Sequence, residues 1–171
     1  MYQDKGQTIL NLKENKAIPK DPANRDFQEF QKWLTEGNKP IPEYVPNDCI
    51  NMETFEVDEN CVFQKIKEQK RKEILQFEKQ RFQKICDEYD YNDLADIQFC
   101  AQKEKSGEEE GTEAQDLENW WYAYDSLIWD WINNDLQVIA TLDKLLSLDM
   151  KAIEQQIFDQ SIQTAPLPSG E

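Results

Sequence analysis

Apolar side chains recur at helical spacing along most of this chain and alternate only near its start. Thr8-Ile9-Leu10-Asn11-Leu12 alternates weakly, and Glu14-Asn15-Lys16 supplies a turn before Ala17-Ile18, which predicts a short β-hairpin or an extended arm within the first 20 residues. Phe27, Phe30, Trp33 and Leu34 then fall at i, i+3, i+6 and i+7 and line one face of a helix over residues 26–36. Asn24 and Asp26 are both candidates to cap it, because a side-chain oxygen there accepts from an otherwise unpaired backbone N–H. Gly37-Asn38 tolerates the positive φ that ends a helix, and Pro40 and Pro42 prevent its resumption.

Beyond about residue 57 the period is helical. Asp58 is the candidate N-cap of a long helix over 58–89, whose stripe of Phe63, Ile66, Ile74, Phe77, Phe82, Ile85 and Tyr89 is interrupted at Lys70. Further helices are expected at 92–105, 112–134, 135–147 and 149–161, with Asn92 or Asp93 capping the first and Thr112 the second. Leu117, Trp120, Trp121, Tyr124, Leu127, Ile128, Trp131 and Ile132 form a seam for packing on the long helix. Trp129 falls outside that seam, as a second contact or a partner site. The expected fold is mainly α: a C-terminal helical bundle with a small N-terminal β-hairpin-plus-helix module. The expected divisions are an attachment module (1–44), a proline-containing linker (45–57), a helical domain (58–162) and a flexible tail (163–171).

The segment Ala17–Tyr44, AIPKDPANRDFQEFQKWLTEGNKPIPEY, resembles a run near the N-terminus of many small bacteriophage tail proteins. Ile18-Pro19, Asp21, Asn24, Asp26-Phe27, Phe30, Trp33, Glu36-Gly37-Asn38 and Pro40 carry the likeness in order and spacing, with Phe where Tyr is commoner. A second stretch is similar in Ala95, Phe99, Glu113-Ala114, Leu117, Trp120 and Trp129, but has Trp121-Tyr122 where that family tends to Arg-Asp. These are packing motifs and not active-site motifs. The resemblance implies a baseplate or tail-fibre component, or a chaperone that escorts the fibre and is not retained in the virion. Its partners would be other tail or fibre subunits within a larger oligomeric assembly, made in a host cytoplasm.

Charge and chemistry narrow this picture by exclusion. The net charge of −16 disfavours binding of nucleic acid or of anionic membranes by the whole chain. One local exception is the stretch from Lys65 to Lys84, with eight Lys or Arg against three Glu, read as a solvated helix face. The acidity also leaves open an inhibitor of a host basic, nucleic-acid-binding protein. MYQDKGQTIL lacks a signal peptide's regions, so Cys49, Cys61, Cys86 and Cys100 are expected to be reduced thiols. The chain contains no histidine, which removes Ser-His-Asp and Cys-His catalysis, and its glycines form neither GxGxxG nor a P-loop. Asp87, Glu88, Asp90 and Asp93 cluster without an EF-hand's spacing and are expected to end one helix and cap the next. No catalytic, cofactor or metal residue is expected, and the function expected is non-enzymatic. The candidate partner-binding residues are Ile9, Leu10, Leu12, Phe27, Phe30, Trp33 and Trp129. The segment through Tyr44 looks short of core, so it is expected to become ordered by docking, with strand addition through residues 8–12 as one route.

Overall fold

The computed structural model describes residues 1–168 and is mainly α with a small N-terminal β-module. It packs as two compact units, Met1–Ile66 and Lys67–Glu171.

In the first unit, strands β1 (Tyr2–Lys5), β2 (Thr8–Asn11) and β3 (Lys16–Pro19) form an antiparallel sheet in that order. The hairpin expected from sequence is β2–β3, with Asn15 at φ 50° in its turn, a conformation that asparagine tolerates better than most residues. The register places Tyr2, Asp4, Ile9 and Ile18 on one face and Gln3, Leu10 and Ala17 on the other. Helix α1 (Arg25–Thr35) covers the first face. Gln3 on the second face is fully buried, its Nε2 donating to the carbonyls of Val45 at 2.7 Å and Pro42 at 3.2 Å.

Residues 45–57, expected as a linker, are instead part of this unit. Val45, Cys49 and Ile50 are buried, and Asp58 N donates to Cys49 O at 2.9 Å to close a tight loop. The Asn51 side chain shapes that loop by accepting from Glu53 N and Thr54 N, and Ile50 bridges to Val57. The loop returns Cys49 to the first turn of helix α2 (Glu59–Glu88), where it is bonded to Cys61 with Cα atoms 5.5 Å apart. The expectation of reduced thiols therefore fails for this pair, because a turn built by Asn51 juxtaposes cysteines that sequence spacing leaves unrelated. Asp58 caps α2 as expected, accepting from Cys61 N at 2.9 Å. The division between units falls inside α2, after the buried Val62 and Ile66, and not in the proline segment.

The second unit comprises the rest of α2, α3 (Leu94–Ser106), α4 (Glu113–Asp130) and α7 (Met150–Thr164), with short α5 (Leu136–Val138) and α6 (Leu142–Leu146) between the last two. Asp93 caps α3 by accepting from Asp96 N at 3.0 Å, and Asp149 caps α7 in the same way from Ala152 N at 3.1 Å. The expected 135–147 helix is broken by extended backbone at Ile139 and Thr141. A π turn, Trp131–Asp135, follows α4, and Leu136 N donates five residues back to Trp131 O. Trp120, Tyr124, Leu117 and Ile128 from the predicted seam are fully buried against Ile74, Ile85 and Cys86 of α2 and Ile97 of α3. The expected flexible tail is structured in its described part: α7 runs to Thr164, Leu167 packs on the core, and Tyr89 Oη donates to Pro168 O at 2.9 Å. The rest of the tail, 169–171, lies outside the described residues.

Candidate functional site

The N-terminal unit gathers most of the residues that the sequence marks for partner binding. Asn24 Oδ1 accepts from Phe27 N at 3.2 Å, which fixes the start of α1 and aims Phe27, Phe30 and Trp33 at the sheet. Tyr2 of β1 completes an aromatic cluster, its ring 5.2 Å from Phe30 and 5.1 Å from Trp33, both edge-on. Phe27 and Phe30 stack at 5.9 Å, and Phe30 and Trp33 at 6.0 Å. An ion pair between Lys16 and Asp26 ties β3 to the first turn of the helix.

Burial divides these residues into two groups. Ile9, Leu12 and Phe30 are buried in the unit's own core, so they hold the module together and present nothing outward. The unit thus has a core of its own, contrary to the expectation that docking would order it. Phe27, Trp33 and Tyr2 are half-buried, and Leu34 is exposed beside them, leaving an aromatic strip along α1. Leu10 is half-buried on the opposite face of the sheet. Strand addition through 8–12 is closed, because β2 is paired on both edges. The outer edge of β1 is also engaged, through Asp4 N to Ile41 O and Ile41 N to Tyr2 O, both at 2.9 Å. Trp129 lies in the other unit, 37% exposed, with the Arg71 guanidinium 5.5 Å from its ring.

The helical unit holds a polar cluster that periodicity did not reveal. Arg81 of α2 makes a fork of two hydrogen bonds to Glu154 of α7, at 2.9 and 3.0 Å, and lies 4.2 Å from the Phe158 ring. Tyr124 of α4 donates to the same carboxylate at 2.6 Å, so three helices meet on one buried anion. Burial and Glu154 push the Tyr124 phenol far above its ordinary range. One turn before Arg81, Glu78 is 7% exposed and its Oε1 has no hydrogen-bond partner. Burial, with Asp125 of α4 in hydrogen-bonding reach, pushes the Glu78 carboxyl up to about 8. The signal was present in the sequence: Glu78 stands four residues from both Ile74 and Phe82, and Glu154 stands four after Met150, so both are carboxylates inside an apolar stripe.

Arg81, Tyr124 and Glu154 bond to one another and so tie α2, α4 and α7 together at one carboxylate. No group of three or more potential metal ligands is assembled among the described residues. Asp93, from the acidic run 87–93, is a helix cap, and Asp87 accepts from Gln83. No described helix is long and apolar enough to cross a membrane. Comparison with protein-family models, curated proteins and solved structures gave no match.

Proposed function

We propose that the chain is a non-enzymatic assembly protein of a bacteriophage tail, attached to baseplate or fibre subunits through the aromatic strip of its N-terminal unit. The observation that carries this reading is the ordered set from Ile18-Pro19 through Asn24, Phe27, Phe30 and Trp33 to Gly37-Asn38, whose resemblance to small phage tail proteins spans one helix and both of its flanks. The strip is what such a role needs. Phe30 holds the helix to the sheet, while Phe27, Trp33 and Leu34 keep apolar surface in reach of a partner, and half-buried aromatics are the side chains that dominate binding energy at interfaces. The chain's lack of histidine, which rules out Ser-His-Asp and Cys-His arrangements, supports a role without catalysis.

Two variants of the role differ in whether the protein stays in the particle. Particles purified by density gradient from lysates should carry the chain if it is a tail component. A chaperone would be absent from the gradient band, yet a tagged chain would capture fibre subunits from the same lysate. Capture of only a host nucleic-acid-binding protein, with no tail subunit in either assay, would refute both variants and favour the acidic inhibitor.

A further inference from the structure

We infer that the groove between the end of α4 and α7 is a docking site for a peptide segment of a partner protein, one that carries lysine or arginine beside an inserted apolar side chain. The groove encloses about 430 Å³. That lies within the range of sites that hold a ligand or a peptide anchor. Leu127 and Trp131 on one side and Ile153 and Ile157 on the other make its apolar floor, continuous with the core of the helical unit.

Its two walls are polar and differ in character. On the α4 side stand Asp130 and Asp135, five residues apart on either end of the π turn. In an α-helix, at 3.6 residues per turn, such positions point about 140° apart. The π turn bonds i+5 to i, so residues five apart come onto the same side, and both carboxylates reach one groove. Among the described residues neither has a cation partner, although Lys70, Arg81, Lys103 and Lys105 of this unit are all paired with carboxylates elsewhere. On the α7 side, Gln156 and Gln160 join Ile153 and Ile157 in an i, i+3, i+4, i+7 stripe. Their carboxamides make no hydrogen bond among the described residues, and a carboxamide offers both the donor and the acceptor that an extended peptide backbone needs.

The charge decides the occupant. Two carboxylates lining one groove without a cation partner among the described residues repel an acidic segment and attract a cationic one, and a second copy of this chain is separated from a foreign peptide by the oligomeric state. The apolar floor between the walls adds the requirement for an inserted Leu, Ile or aromatic. This site belongs to the helical unit and shares no residue with the aromatic strip, so its failure and the failure of the phage-tail reading are separable: it is measured on the purified chain alone.

The test uses three labelled peptides: alternating Lys-Leu, the same with Glu for Lys, and the same with Ser for Leu. Fluorescence anisotropy gives their affinities for wild type, for Asp130→Asn with Asp135→Asn, and for Glu108→Gln, Glu109→Gln and Glu110→Gln in the exposed loop. The expected result is binding of the Lys-Leu peptide alone, weakened at least tenfold by the groove variant and less than twofold by the loop variant. An equal loss in both variants would mean diffuse attraction to an acidic surface, and would overturn the proposal. So would equal binding of the Ser or Glu peptide, absence of binding, or a wild-type dimer that the groove variant dissolves. Circular dichroism of each variant guards against unfolding, and if the groove variant fails to fold, Gln156→Ala with Gln160→Ala takes its place with the same expected loss.

Discussion

Phe30 and Trp33 lie three residues apart on one helix face and do different work. Phe30 is buried between Ile9 and Ile18, so Phe30→Ala should cost about 3–5 kcal/mol of stability in the first unit. Trp33 is half-buried, and Trp33→Ala should cost about half as much while abolishing capture of the tail partner. Thermal melts and pull-downs of both variants check the difference, and equal destabilisation by the two would remove Trp33 from the attachment surface. Glu78 carries a second prediction. Its folded carboxyl titrates near 8 against 4.5 for an unperturbed one, so between those values the folded state holds a proton that the unfolded state has released. Its contribution is therefore fully present below pH 4.5 and is lost as pH rises through 8, by at most about 1.4 kcal/mol per pH unit. Glu78→Gln should match wild type at pH 4.5 and melt higher at pH 8.5, as read by pH-dependent thermal melts. Position-specific chemistry of this kind was partly legible in the sequence. Asn24, Asp58 and Asp93 announced themselves as caps, because capping needs only a short polar side chain ahead of a periodic run. Glu78 and Glu154 were marked only as carboxylates inside apolar stripes, and their partners were not legible, since those depend on which helices face them.

Among the elements, the helices with a strong apolar period were readable, and the elements defined by pairing partners were not. The stripes of α1, α2 and α4 fixed their extents to within a few residues, and the Trp120 seam fell in the core as expected. Strand β1 was missed because Tyr2-Gln3-Asp4-Lys5 has no apolar alternation: its Gln3 is buried by backbone carbonyls 39 and 42 residues away. The π turn and the break at Ile139 were likewise invisible, since a helical period constrains which face is apolar and says little about where the backbone changes pitch. The loop 49–58 escaped for a related reason: prolines upstream suggested extended chain, whereas Asn51 and the Cys49–Cys61 bond fold it back. That bond closes a separation of 12 residues, so its removal should cost the first unit about 3 kcal/mol through the unfolded chain's regained freedom. Hydrogen exchange on Cys49→Ser with Cys61→Ser should show faster opening of β1–β3 and unchanged protection around Trp120 and Tyr124. Uniform loss across the chain would mean that the two units unfold together.

At the scale of the whole molecule, the proline segment is anchored at several points and the acidic loop is an exposed connection. Ser106–Gly111 has exposed residues throughout, whereas 45–57 is anchored at Val45, Cys49 and Ile50. Limited proteolysis by a glutamate-specific protease should therefore cut first at Glu108–Glu110, and early cleavage at Glu53 or Glu56 would count against the packing of the 49–58 loop. The candidate attachment surface was legible as a stretch of sequence. Its division into core and strip was not, because burial depends on a sheet whose first strand carries no signal. Glu78 has one more consequence, visible only in heat. With no histidine in the chain, few groups besides this carboxyl exchange protons on folding near neutral pH. Unfolding at pH 6.5 should thus release about one proton into the buffer. The calorimetric enthalpy should then differ between phosphate and imidazole by the difference in the two buffers' heats of taking up that proton, and Glu78→Gln should make the two buffers agree.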